Sequence, residues 1–570
     1  MLPVPLTLRS ASRQLAPPNT NAETPDSVAK MDVIKRLLSL FKSVKTLVSI
    51  LRDLSNDWSK VAARMRAAPG FPHAKPTLSH WQDDPPFPEL VDIQTPGGPP
   101  PTADIVIIGS GISGVAIART VCHELRRKGD LSAGRRVVVL EARELCSGAT
   151  GRNGGHIKPS SHEVFHGLVH KRGLDRDRAA RICAFQLSHL DVLTALARSE
   201  GIEGVSECRR VETVDFAVDA DTDANMKAMV EEFVPYAPAG FEMVAHTAEQ
   251  ARERFGVNER VAGAVSYPAG ALSPYRLVTA LWRKLLDEFP GVLAVETGTT
   301  VEEVKVDDQS ARSSKLEDTG SFPYAVVTSR GQIFARHVVH ATNAHTSQLV
   351  PGLRGKGTSA LCHMTAQRAA EYFPDKDGSR SWSVIFGQGF DYITQRPTGE
   401  LMVGGGYFQG PKQGTELMGV YDDSKIDALT VMHLEGVMST LFDPGYKVKG
   451  EGSRVIRAWS GAIGLVPDFM PLVGRLDPRI TSRKVKQDSK AGGQLLPGEW
   501  ISAYFCGDGM VWAWLCGVAL GIMLTGSEDE VLPAEPGRPA GKLADWFPSE
   551  LYAGWERVKR MDIVDLADAL

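Results

Sequence analysis

The sequence predicts an α/β fold of two interleaved parts, a Rossmann-like domain and an antiparallel β-sheet (α+β) domain inserted into it. Three observations carry this. A strand, a glycine turn, a helix and a second strand follow one another between Ala103 and Glu141. β-patterned segments without a second phosphate fingerprint occupy the stretch from Gly357 to Gly452. An apolar strand from Trp500 to Cys506 then leads through Gly507-Asp508-Gly509 into a last apolar helix.

The opening unit begins with the apolar run Asp104 to Ile108 and turns at Gly109-Ser110-Gly111-Ile112-Ser113-Gly114. A helix is expected from Val115 to Arg127, then a strand at Val137-Val138-Val139-Leu140 ending on Glu141. The spacing is that of a dinucleotide site. Gly109 allows the tight turn, Gly111 a close backbone approach to pyrophosphate, and Gly114 close packing of helix on strand. Amides at the helix start favour a phosphate. Glu141 would accept ribose hydroxyls and repel a 2′-phosphate, so FAD or NAD fits and NADP does not.

At 570 residues, with 43% hydrophobic and 23% charged residues, the chain has room for more than one core. A net charge of −4 and the lack of a basic stripe argue against a nucleic-acid partner. Seven cysteines without a CxxC pair argue against a disulfide framework or a zinc site, and no metal is expected. A reducing compartment, hence a cytoplasmic location, is the simpler reading. The longest apolar run, Met510 to Leu524, is too short to span a bilayer comfortably and reads as a buried helix.

Taken in order, residues 1–30 read as disordered and residues 31–55 as a basic amphipathic helix that either packs on protein or lies on a membrane surface through residues 31–54. Residues 56–102 form a proline-rich strap anchored by Trp81. The nucleotide domain takes residues 103–200, 271–350 and 456–526, and the substrate domain takes 201–270 and 351–455. Ser273-Pro274 marks a helix start. Residues 527–570 form a tail that docks through Trp546 and Trp555.

Three separated motifs then agree. They are Ile107 to Gly114; Glu141-Ala142-Arg143 followed by Gly148 to His156; and Gly507-Asp508-Gly509-Met510, preceded by the segment holding Asp468, Pro471 and Gly474. Together they resemble the FAD-dependent D-amino-acid oxidase (DAO) superfamily, and Gly151 to His156 is most similar to its γ-glutamylputrescine oxidase branch and fungal relatives. The resemblance implies a glutathione-reductase-type FAD domain. A second glycine loop and a C-terminal strand–glycine–helix unit also favour FAD over NAD on the residues alone, since a flavin needs both.

The cofactor-binding set expected is Gly109, Ser110, Gly111, Ile112, Ser113, Gly114, Glu141, Ala142, Arg143, Ala149, Thr150, Arg152, Asn153, Gly154, Gly155 and His156. Val301, Ala341, Thr342, Asn343, Gly464, Gly507, Asp508, Gly509 and Met510 complete it. Relatives that attach flavin covalently carry His where this chain has Arg152, or Cys where it has Gly461 or its neighbours, so non-covalent FAD is expected, with Cys506 near the flavin turn.

The resemblance implies oxidation of a C–H bond beside an amine, with hydride passing to flavin N5 and O2 or another electron acceptor reoxidising it. The substrate is then a small amine or amino acid. Alternatives are a dehydrogenase using another acceptor and a non-catalytic FAD scaffold at a membrane surface. His156 and Lys158 are candidates for positive charge near the flavin, Arg396 for a substrate-carboxylate clamp, and Tyr392 and His363 for the pocket wall. The family's usual Arg-Gly-Gln-like segment is here Thr365-Ala366-Gln367, which weighs against amino-acid substrates.

Overall fold

The computed structural model describes residues 45, 52, 55–133, 136–307, 322–370, 373, 377–442, 454–485 and 495–568. They fall in two compact units, Met1–Lys60 and Val61–Leu570. In the first, the described residues are helical. The expected disordered segment 1–30 lies outside the described residues, as does the amphipathic helix 31–55 except for Lys45, Arg52 and Ser55. The second unit carries both β-sheets.

Its eight-stranded sheet has the order Leu472–Arg475, Gly498–Ala503, Gly331–His340, Thr102–Ile108, Val137–Leu140 and Leu293–Glu296. The last five of these run parallel. Val301–Val306 and Tyr324–Thr328 extend the sheet antiparallel from Gly331–His340. Continuous apolar strands such as Val137–Leu140, buried at every residue, are what a sheet covered on both faces requires.

On one face lie the helices Ile112–Arg127 and Ala513–Leu524. A Cβ on Gly517 would come 2.7 Å from Ala116, and one on Gly521 2.6 Å from Thr120. Only glycine permits that approach, and the matching advance along both chains makes the helices parallel. Their N-termini therefore sit at the same end of the sheet.

The second sheet has nine strands, in the order Val455–Leu465, Thr358–Gln367, Leu401–Gly405, Phe390–Gln395, Arg380–Ile385, Arg209–Ala217, Gly263–Ala271 and His156–Ile157, with Val244–Thr247 beside Gly263–Ala271. It is antiparallel except where Arg380–Ile385 meets Arg209–Ala217. Those strands are far apart in sequence, and no hairpin dictates their direction.

Three segments sit otherwise than the sequence suggests, and one of them, His156–Ile157, read within the first nucleotide segment, pairs with Gly263–Ala271 in the nine-stranded sheet. Val455–Leu465, read as the start of the third nucleotide segment, pairs along its length with Thr358–Gln367 and is an edge strand of the nine-stranded sheet. Its glycines resemble turn residues but lie within the strand. Within the strap, residues 61–66 are helical and Pro88–Val91 adds a short helix.

Trp81 is 4% exposed and donates from Nε1 to the Asn153 carbonyl at 2.6 Å, which ties the strap to the second glycine loop. In the C-terminal segment Trp546 stacks on Phe185 at 6.2 Å, Arg479 lies 4.7 Å over Trp555, and the Ala553 amide donates to the Val473 carbonyl. Among the described residues no helix is long and apolar enough to cross a membrane.

Candidate functional site

A cavity of about 950 Å³ opens at the carboxyl ends of the parallel strands and is walled on its other side by the nine-stranded sheet. This is where open α/β sheets bind ligands. The volume is at the upper end of the roughly 300–1,000 Å³ usual for cofactor sites.

The turn after the opening strand is fixed from both sides. Gly109 donates to the Leu140 carbonyl at 2.8 Å, its φ is +112°, and a Cβ there would stand 2.5 Å from the Ala341 carbonyl oxygen. No side chain fits. Trp282 braces the turn from the helix Pro274–Glu288, donating to the Ser110 carbonyl at 2.8 Å. Glu141 accepts from the Ser110 amide at 3.1 Å, the Ser110 hydroxyl at 2.6 Å and the Arg143 amide at 3.2 Å, which holds its carboxylate at the turn.

The second glycine loop closes over the first helix. Thr150 Oγ1 accepts from the Ile112 amide at 3.0 Å, satisfying one of the amides a helix start leaves free. Arg152 is 3% exposed and donates from Nε to the Ser460 carbonyl at 2.7 Å and from Nη2 to the Thr77 carbonyl at 2.6 Å. Its Nη1 is buried without a partner among the described residues. Burial lowers this guanidinium to about 10, with Asp423 opposing. Arg143 pairs with the same Asp423 at 3.0 Å.

Of the expected cofactor-binding residues, Gly109 to Ser113, Glu141 to Arg143, Ala149, Thr150, Arg152 to Gly154, His156, Val301, Ala341 to Asn343 and Gly507 to Met510 line this one cavity. Gly114, Gly155 and Gly464 do not. Gly114 backs onto the Gly109 carbonyl, Gly155 onto the Leu272 carbonyl and Gly464 onto Asn343 Oδ1, so all three shape the wall from behind. Asn343 Oδ1 accepts from the Tyr504 and Phe505 amides at 2.9 and 3.2 Å, bringing the distant segment that leads into the Gly507 turn to the sheet.

The expected catalytic set is only partly assembled. Tyr392 lines the cavity, lies 5.8 Å edge-on from His156, and donates to Met364 Sδ at 3.1 Å. His156 lines it too, but burial and then Lys158 lower its imidazole to about 3, so it is neutral and supplies no positive charge.

Lys158 is ion-paired with Asp215 at 2.5 Å, also reaches Ser383, and has its charge cancelled there. Burial pushes the Asp215 carboxyl up, and Lys158 together with the Tyr267 hydroxyl at 2.7 Å more than offsets it, leaving it below the usual range. Lys158→Met should therefore cost about 3–5 kcal/mol of stability by stranding Asp215, as measured by denaturant unfolding. A loss under about 1 kcal/mol would contradict the buried pair.

Arg396 and His363 lie away from the cavity lining. Arg396 is committed to Glu207 at 2.6 Å and lies 5.6 Å over Trp81, so it clamps no substrate here. His363 is 1% exposed and its Nε2 accepts from the Asp427 amide at 2.9 Å, at the cap of the helix Ala428–Leu441. Sequence spacing cannot show which face of a strand meets the cavity.

Burial acts on two carboxyl groups of the lining, one of which the sequence does not single out. Glu163, on the helix Ser161–His166, makes no side-chain hydrogen bond among the described residues. Burial pushes it up to about 7, Asp215 adds to the shift and Lys158 opposes it. Asp508 is expected only at the cofactor turn, and burial raises it to about 6. No motif singles out Glu163.

Comparison with known proteins decides the family. A family model described as FAD dependent oxidoreductase, DAO, matches residues 104–521. The chain belongs to the DAO family.

A curated relative of this DAO-family chain is one component of the anaerobic glycerol-3-phosphate dehydrogenase of Escherichia coli K12, 27% identical over 245 residues, or 42% of this chain and 39% of the relative. The chain thus spans about two fifths of the length of the curated relatives it matches. Glycine oxidase from Geobacillus kaustophilus shares the fold at TM-score 0.55 and 19% identity, over 77% of this chain and 98% of the other. L-Proline dehydrogenase from P. horikoshii gives 0.54 and 19%, over 75% and 94%. L-Amino acid deaminase from Proteus myxofaciens, in complex with anthranilate, gives 0.55 and 14%, over 82% and 96%.

The family is described as one of FAD-dependent oxidoreductases, and the residues of this chain fit that cofactor. The Gly109 turn leaves a cradle that a Cβ would fill, Arg152 Nη1 is a buried cationic donor without a partner among the described residues, and two parallel helices start at the cavity.

Proposed function

We propose that this enzyme oxidises the C–H bond next to the nitrogen of a small amine, with Glu163 taking the ammonium proton first. FAD, when bound, supplies the hydride acceptor. The Gly109 turn, Glu141 and Arg152 would hold its ribose and phosphate portion, and the Gly507–Met510 turn its ring. Attachment is non-covalent in this reading: burial raises the thiols of Cys362, to about 12, and Cys506, so neither offers a ready nucleophile.

The observation that carries the proposal is Glu163. It lines the cavity and lacks a partner among the described residues, and burial pushes its carboxyl up to about 7. A carboxylate attracts an ammonium ion, and a proton acceptor works best when its pKa lies near the working pH. A neutral amine can lose hydride directly, leaving an iminium that water hydrolyses. Tyr392, Met364 and Phe390 give the rest of the wall an apolar character suited to the substrate's carbon chain.

The test is anaerobic mixing of the FAD-loaded protein with a panel of amines, amino acids and sn-glycerol 3-phosphate. Bleaching of the flavin by an amine is expected. Bleaching by glycerol 3-phosphate and by no amine or amino acid would sink the proposal. Repeating turnover in air and with an artificial dye separates O2 from another acceptor.

A further inference from the structure

At the rim of the cavity the helix Ser161–His166 runs into one π-helical turn, Gly167–Lys171. That winding sets the rings of His166 and His170 4.3 Å apart. Glu232, on the neighbouring helix Ala220–Phe233, accepts contacts from both: His166 Nδ1 at 2.9 Å from Oε2, and His170 Nε2 at 2.9 Å from Oε1. One ligand atom from each residue lies within 4.8 Å of the others. Neither the cofactor nor the proposed proton transfer uses this cluster.

We propose that His166, His170 and Glu232 bind a divalent transition ion of the zinc class, as a two-histidine, one-carboxylate site with a water in the fourth position. Two histidines four residues apart on one helical face, with a carboxylate from a second element, form a ligand set of the type zinc takes. Ligand atoms around tetrahedral zinc at ~2.0–2.2 Å stand roughly 3.4 Å apart, so small side-chain shifts suffice. Arg176 also reaches Glu232 Oε1, at 3.3 Å, but its side chain is half exposed and free to swing into solvent. The ion would pin the segment carrying Glu163 against the helix Ala220–Phe233. Because His166 itself lines the cavity, occupancy would also set the shape of its mouth.

The experiment uses the full-length, FAD-loaded protein after chelator treatment and dialysis, titrated with Co(II) and then Zn(II). One equivalent of Co(II) with the strong visible absorption of four-coordinate cobalt is expected, displaced by one equivalent of Zn(II). His170→Ala and Glu232→Gln should each weaken uptake by roughly 100-fold while keeping flavin content and melting temperature, whereas Arg176→Ala should bind at least as tightly. The proposal is overturned if wild type takes up no Co(II), or if both ligand variants bind it with unchanged affinity and spectrum.

Discussion

Gly109→Ala is expected to yield a protein that no longer retains FAD. Two costs coincide at this residue. Its φ of +112° lies where side chains other than glycine's are strained, typically by about 1–3 kcal/mol. The added methyl would also stand 2.5 Å from the Ala341 carbonyl oxygen, which is backbone of the neighbouring strand and cannot rotate away. Relief requires the turn to lift off the sheet, displacing the amides of Gly111 and Ile112 and the Ser110–Glu141 contact together. FAD affinity should fall by roughly 100-fold or more, since about 3 kcal/mol corresponds to that factor. The check is the flavin-to-protein ratio after gel filtration, followed by titration with added FAD. Gly204→Ala serves as the control, because a Cβ there meets nothing within 4 Å and its φ is ordinary. FAD retention by Gly109→Ala equal to that of the control would refute the reading.

Glu163→Gln should lower kcat/KM for the amine by roughly 10²–10⁴-fold at pH 8, the usual contribution of a positioned proton acceptor. In the wild type, kcat/KM should climb as pH rises through about 7, because only the ionised carboxylate accepts the proton. The glutamine variant should lose that limb and keep bound FAD. A variant within about twofold of wild type, with the same limb, would remove Glu163 from the reaction.

Stability gives a second readout of the same group. Its folded pKa, about 7, lies above the ordinary carboxyl value of 4.5, so between these values the folded state holds a proton that the unfolded chain has released. Stability then declines as pH rises from about 4.5 to about 7 and levels off above. Melting curves at about pH 5 and about pH 8 should show a smaller drop for Glu163→Gln than for wild type.

The nucleotide half was legible because its constraints are local. A glycine that must turn, an acid that ends the next strand and an apolar helix that must bury all its faces leave marks at fixed spacing. Gly109, Glu141 and Ala513–Leu524 are of this kind. The substrate wall was less legible because face and register decide it. On Thr358–Gln367, Met364 lines the cavity while its neighbour His363 does not. Lys158 and Arg396 look equally available as charges until Asp215 and Glu207 are found beside them.

The sequence by itself marked two glycine turns and a terminal strand–helix unit as parts of one site, since each turn carries a backbone requirement that few other residues meet, and they line one cavity. The tertiary structure alone decided which charges remain free to act. Ion pairing and burial join residues tens to hundreds of positions apart, so Lys158 and Arg396 are spent on structure while Glu163, carried on an unremarked helix turn, faces the cavity unpaired among the described residues.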